Sequence, residues 1–342
     1  MNFEENNSEH ISPPGIGEKV VIGRSRGHRG WKIVWAIITV LSVLANLVLI
    51  LMLIGLIGMF TVGQRDGYVQ KTVRPGPWSA KIAVINLCGI IDGEKSKQVR
   101  EQISKARDDS SVKALIVRVN SPGGGVGASD RIYNLIRSWR SDTHKPAVAF
   151  MQGVAASGGY YSSVACDKIV AEPTTVTGSI GVIMTHLAIA ELFEDKLGIQ
   201  PTVVKAGAKK DWPSLFEKMT PEQEGYLQRR LISPAYNRFV ELVAENRESL
   251  SLEEVIELAD GSIYFAPHAL EEKLIDQTGY FDAAIELAKS LAGVKEAQVV
   301  EYSPPFSLAK MLSSGSQSLV IPDKTKLYEM CQPQLMYLWR PY

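Results

Sequence analysis

Cysteine is scarce: the chain has three in 342 residues. Cys88, Cys166 and Cys331 lie far apart and in no C-x-x-C pair, which excludes a disulfide framework and a cysteine zinc site. The five histidines show no metal-ligand spacing. A charge excess of either sign is also missing. Lys plus Arg equals Asp plus Glu at 37 each, so no global field marks a nucleic-acid surface or an acidic solvating tail. No internal repeat is evident, and the glycine turn Asn120-Ser-Pro-Gly-Gly-Gly-Val126 lacks the G-x-x-x-x-G-K-[ST] order of a phosphate loop.

What is present is apolar bulk, about 45 % of the residues, enough for one substantial core with segments left outside it. Residues 1–32 are polar and read as a flexible tail ending in a basic cluster, Arg24, Arg26, Arg29 and Lys32. Residues 33–60 form an uncharged apolar run. About 20 such residues span a bilayer, whereas a cleavable signal has a core of about 7–15, so the run reads as a single-pass anchor. The basic cluster before it predicts a cytoplasmic tail and an extracytoplasmic remainder, although Arg65, Lys71 and Arg74 weaken the bias. Residues 61–78 read as a linker.

From residue 79 to 302 short apolar runs alternate with amphipathic stretches. KIAVINLCGII, KALIVRV, PAVAFMQ and DKIVAEP read as strands, with helices over SKQVREQISKARDD and ASDRIYNLIRSWRS. Strands separated by helices need crossovers, which predicts a largely parallel α/β sheet with flanking helices and ligands at the strands' carboxyl ends. PTVVK reads as a later strand, Pro221 opens a long helix toward Arg247, and AQVVEY reads as a final strand. Residues 303–342 are a tail rich in Pro and Ser ending in the apolar PQLMYLWRPY, which either docks on a neighbouring subunit or folds back on its own domain.

Two glycine-rich turns fall where ligands of such a sheet gather. In Gly153-Val-Ala-Ala-Ser-Gly-Gly-Tyr-Tyr161 a serine stands where a strand hands over to a helix, and Ser157 reads either as a helix cap or as a nucleophile. The turn at 120–126 offers open backbone N–H groups, either as a tight turn only or as donors to an oxyanion. A serine hydroxyl needs a base, and no histidine lies in these turns or in the loop AGAKKDWPSLFEKMT. Lys209 and Lys210 in that loop read as solvated charges or as a base. A lysine base near neutral pH must be desolvated by roughly 2–3 pKa units, and Trp212 offers that cover if Asp211 points away.

The ordered set VNSPGGGV, VAASGGYYSS, TGSIGVI and GAKKD behind an apolar anchor resembles the bacterial signal peptide peptidases of the S49 serine peptidase family, over roughly residues 80–290. The resemblance implies a crotonase/ClpP-like fold for the 79–302 domain and a Ser–Lys dyad needing no metal or organic cofactor. By position it implies Ser157 as nucleophile, Lys210 as general base with Lys209 the weaker candidate, Gly124 and Gly158 as oxyanion donors, and Ser179 as the residue orienting the lysine. It further implies a membrane-anchored homo-oligomer, a ring or bowl with its catalytic domain outside the cytoplasm of a bacterial cell. Its substrates would be apolar peptides such as signal-peptide remnants, not nucleic acid. Alternatives are an S49 protease trimming one membrane protein, a crotonase-like acyl-thioester enzyme, and an inactive membrane scaffold.

Overall fold

The computed structural model describes residues 28–62, 68–304 and 334–339. Most of the expected polar tail, residues 1–27, and the Pro- and Ser-rich stretch 305–333 lie outside the described residues. The chain divides into two units, Met1–Gln64 and Arg65–Tyr342. The first contains helix α1 (His28–Val62), which starts inside the expected tail. Its Gly30–Gly55 segment is long and apolar enough to cross a membrane. Polar side chains there bond to their own helix, Thr39 Oγ1 to Trp35 O at 2.8 Å and Asn46 Nδ2 to Ser42 O at 2.7 Å, as an apolar medium requires.

In the second unit β1 (Val69–Arg74) lies within the stretch expected to be a linker. It is followed by β2 (Lys81–Cys88), α2 (Gly93–Asp108), β3 (Val112–Ser121), β4 (Gly123–Gly125) and α3 (Val126–Thr143). Then come β5 (Ala147–Ala156), α4 (Gly158–Ser163), β6 (Lys168–Ala171), β7 (Val176–Gly178) and β8 (Ile183–Met184). The chain continues through α5 (Pro221–Leu227), α6 (Ser233–Asn246), α7 (Leu252–Leu258), β9 (Ile263–Phe265) and α8 (Ala266–Glu271). The described elements end with β10 (Gln277–Thr278), α9 (Phe281–Leu291), β11 (Gln298–Ser303) and β12 (Leu335–Leu338).

Among the described residues nine strands form one sheet, in the order β1-β11-β2-β3-β5-β6-β10, with β7 beside β5 and β9 beside β7. Pairing from β11 through β10 is parallel and β1 joins the edge antiparallel, so the expected crotonase/ClpP-like α/β architecture is the one observed. Both faces are covered, which explains the unbroken apolar runs. Ala83, Ile85, Leu87, Leu115, Val117 and Val119 pack with Val99, Ile103, Ile136, Trp139 and Phe239 of the helices. The alternate residues Ile82, Val84, Ile116, Val148 and Phe150 pack on Ala284, Ile285 and Ala288 of α9.

Three sequence expectations are corrected. PTVVK is not a strand: Val204 is 95 % exposed and residues 201–205 pair with nothing in either sheet. β-branched residues favour a strand only where a partner edge and a surface to pack on exist. The helix from Pro221 does reach Asn246, but π-type turns at Gln228–Ile232 divide α5 from α6. Pro234 follows at once, and it can neither donate to the preceding turn nor fit a tight one. The linker stretch supplies β1, because the edge of β11 offers backbone partners to Val69, Gln70, Lys71, Thr72 and, past an irregularity at Val73, Arg74.

A second sheet, β4-β12-β8, is antiparallel throughout. Here the apolar segment LMYL folds back on its own domain and lies across the glycine turn. Of the two placements left open for PQLMYLWRPY, this is the one observed for residues 334–339.

Candidate active site

β3 and β5 are parallel neighbours with Ser121 opposite Ala155, so the turns that leave them emerge side by side. Ser121 shapes the first turn. Its Oγ donates to Gly89 O at 2.6 Å and accepts from Gly123 N at 3.1 Å. Asn120 Oδ1, at the end of β3, accepts from Val154 N at 3.4 Å and ties the two strand ends together. A Cβ on Gly123 would stand 2.7 Å from Gly158 N, and one on Gly158 would meet Ser129 Oγ at 2.5 Å. Both turns therefore require glycine at their closest approach.

Ser157 occupies the N-cap position of α4 but does not cap it: its side chain makes no capping hydrogen bond. Its backbone has φ 53° and ψ −113°, a conformation that normally selects glycine. Two backbone bonds hold it there, Ser157 N to Gly178 O and Tyr161 N to Ser157 O, both 2.8 Å. The residue is 1 % exposed and lines a cavity of about 310 Å³ with Ser179, Gly181, Tyr236, Asp260 and Leu338. Ser179 also has positive φ, 50°, and its N–H donates to Ser262 O at 2.7 Å.

The structure thus brings Ser157, Gly158, Gly124 and Ser179 to one end of the sheet. It does not bring the lysines into the same cavity. Lys210 lines a separate cavity of about 500 Å³ with Met184, Val203, Trp212 and Leu231. Lys209 Nζ lies over the rings of Tyr226 and Trp212, 4.4 and 5.0 Å from their centroids. Asp211 points to Lys205 at 2.5 Å, not to either candidate base.

Sequence reasoning missed what covers the glycines. Tyr337 of β12 lies opposite Gly124, and Trp339 N donates to Pro122 O at 2.8 Å. The carbonyl oxygen of Tyr337 sits where a methyl on Gly123 would collide with it, and 3.1 Å from the position of a Cβ on Gly158. A peptide carbonyl is therefore held at the junction of the two glycine turns, with Leu338 beside Ser157 in the cavity. The Tyr337 ring is fully buried, stacked on Tyr161 at 4.9 Å and tilted on Phe239 at 4.8 Å. Burial, then the Asp130 carboxylate, push the phenols of Tyr161 and Tyr337 above their ordinary range, so both remain hydrogen-bond donors. The apolar cluster late in the chain was the one signal of this contact; Asp260 and Gly261 had none beyond a turn composition.

Chemically the junction offers a buried hydroxyl in a constrained backbone, packed glycine amides, and a groove that accepts an extended peptide by strand addition. The sequence of the domain is similar to that of known proteins. A family profile described as Peptidase family S49 matches residues 140–295, and one described as Clp protease matches residues 79–176. A putative signal peptide peptidase SppA of Enterococcus faecium is 37 % identical over 244 residues, covering 68 % of this chain and 70 % of its own length. A putative protease of Methanocaldococcus jannaschii is 38 % identical over 235 residues, 65 % of this chain and 74 % of its own. Protease 4 of Haemophilus influenzae is 35 % identical over 228 residues, 65 % of this chain and 36 % of its own. Because the chain covers more than two thirds of the Enterococcus faecium and Methanocaldococcus jannaschii relatives at 37 and 38 % identity, and the S49 profile matches within it, the chain belongs to peptidase family S49.

Proposed function

We propose that this S49 serine protease is a membrane-anchored endopeptidase that cleaves apolar peptides, signal-peptide remnants among them, with Ser157 as nucleophile and Lys210 as base. One observation carries the reading: Ser157 holds a glycine-like backbone conformation without capping its helix, while a peptide carbonyl rests on the glycines beside it. A structural cap would have the opposite properties, ordinary φ and a bonded hydroxyl. In the reaction a neutral lysine amine takes the Ser157 proton as Oγ bonds to the peptide carbonyl carbon, and the resulting oxyanion is met by the N–H groups of Gly124 and Gly158. As the C–N bond breaks, the lysine ammonium returns the proton to the leaving amine. Water, deprotonated by the same lysine, then releases the acyl group and restores the hydroxyl. Ser179 orients the amine.

Because Lys210 and Ser157 line different cavities, the base arrives either by closure of the 201–220 loop or from that loop in a second copy of the chain. The membrane helix fits the substrate class. Anchoring at the bilayer raises encounters with peptides that partition there, and the basic residues before the helix favour an extracytoplasmic catalytic domain. The test is labelling of the full chain with a serine-reactive acylating inhibitor, adduct mapping, and assay on an apolar peptide. The expected adduct is on Ser157, with turnover lost in Ser157→Ala and the fold kept by circular dichroism. An adduct elsewhere, or full turnover in Ser157→Ala, would sink the reading.

A further inference from the structure

The pocket filled by Tyr337 has more to it than apolar bulk. At its floor Tyr337 Oη donates to the carbonyl oxygen of Ala235 at 2.7 Å, in full burial. Its wall is Tyr161, whose ring is itself fixed: Tyr161 Oη donates to Asp130 Oδ1 at 2.7 Å, and Arg238 Nη2 lies 3.8 Å from the same oxygen. Asn134 Nδ2 holds the other oxygen of Asp130 at 3.0 Å. Phe239 and Tyr133 meet the Tyr161 ring edge-on at 4.9 and 5.7 Å, so it has little freedom to turn. Tyr161 also belongs to the short helix that begins beside Ser157, and its N–H donates to Ser157 O. Pocket wall and reactive residue are thereby one rigid piece.

β12 supplies the register. Tyr337 stands opposite Gly124 with its carbonyl at the glycine junction, and Leu338 follows beside Ser157. A peptide bound on the same path puts the residue equivalent to Tyr337 on the acyl side of the attacked bond, given the reading of Ser157 as nucleophile on which this inference rests. We propose that the pocket selects tyrosine over phenylalanine on that acyl side, with the Ala235 carbonyl reading the hydroxyl and Asp130 acting as a positioning residue that fixes the aromatic wall through Tyr161. The preference follows from unequal cost: a phenol keeps its partner on burial, whereas a benzyl ring leaves the second acceptor site of a buried carbonyl unfilled. Ala235 O retains its place in α6 either way, so discrimination should be about tenfold, well short of that of a site whose polar group has no other partner.

The experiment uses the full chain carrying Tyr337→Ala, which takes the protein's own ring out of the pocket. Binding of p-cresol and of toluene, two probes that differ by the hydroxyl alone, is followed by thermal shift, with p-cresol expected to bind about tenfold more tightly. Toluene binding as well or better overturns the hydroxyl readout, whatever the chemistry at Ser157. The same variant is then given peptides differing only in Tyr, Phe or Leu before the cleaved bond. Mass spectrometry should show cleavage after that residue, with kcat/KM for Phe about tenfold below Tyr and Leu lower still. Faster cleavage after Phe sinks this inference alone; no cleavage of any peptide, with p-cresol still preferred, sinks the peptidase reading and the assignment of the bond with it. Asp130→Ala should cut the Tyr-to-Leu ratio several-fold while Asp130→Asn, whose amide oxygen still accepts from Tyr161, preserves it. An unchanged ratio in Asp130→Ala removes the positioning role.

Discussion

The two glycine turns and the lysine loop differ in how much of their geometry is built before any substrate arrives. Around Ser157 the backbone neighbours are specified: buried parallel strands whose register shifts between Val119 and Ser121, glycines packed against glycines, and two hydrogen bonds holding a residue of positive φ in place. Around Lys209 and Lys210 the chain runs exposed from residue 202 to 210, in neither sheet. The side of the proposed nucleophile is carried by the core, and its cost was met when the sheet folded. The side of the proposed base is carried by a surface loop, and its position depends on what closes over it.

The sharpest way to break that comparison is to exchange chains. Lys210→Ala should lower turnover by roughly 10²–10⁴-fold and Lys209→Ala far less. Mixing inactive Ser157→Ala and Lys210→Ala chains should restore part of the activity, because a second copy can present the loop to a Ser157 cavity that its own lysine does not line. No recovery in the mixed sample, checked by co-purification of the two tagged chains, would assign the base to loop closure within one chain.

Next in size is Gly158→Ala. The added methyl meets Ser129 Oγ at 2.5 Å and the Gly123 backbone at 3.2 Å, so the turns must part. The expected cost is about 2–3 kcal/mol in denaturant unfolding, with turnover lost as the amide leaves its position. An alanine variant as stable and active as the parent would show that the junction is looser than drawn.

A smaller effect lies far from the site. Burial alone would raise the Asp276 carboxyl, but Arg247 at 2.7 Å, the Ile169 N–H at 2.8 Å and Lys168 at 3.1 Å hold it below its ordinary value. A depressed carboxyl contributes stability above its unfolded pKa, and that contribution is lost as pH falls through the folded one. Asp276→Asn should therefore destabilise by about 1–2 kcal/mol at neutral pH, discounted for solvent screening, and the gap from the parent should narrow in acid. A gap constant with pH would remove the linkage.

How much could be read beforehand follows the same division. The buried strands were legible because each is apolar on both faces, and the S49 motifs located Ser157, Gly124, Gly158 and Ser179 at one sheet end. β4 was not legible: Gly123–Gly125 has no strand propensity and becomes a strand only by pairing with β12. β1 was hidden by its polar sequence, since an edge strand needs partners more than apolar residues. PTVVK misled in the other direction, with strand-forming residues and no edge to join. The cavity that Lys210 lines could not be inferred, because a loop's placement is set by contacts distant in sequence.

The backbone at Ser157 has a consequence for anyone seeking a sturdier protein. With φ at 53° a side chain there is tolerated, not favoured, so Ser157→Gly should raise the unfolding midpoint by an amount corresponding to roughly 1 kcal/mol while removing the hydroxyl. Selection for thermal endurance alone would drift toward that glycine, and a library screened on melting temperature would enrich chains that no longer react.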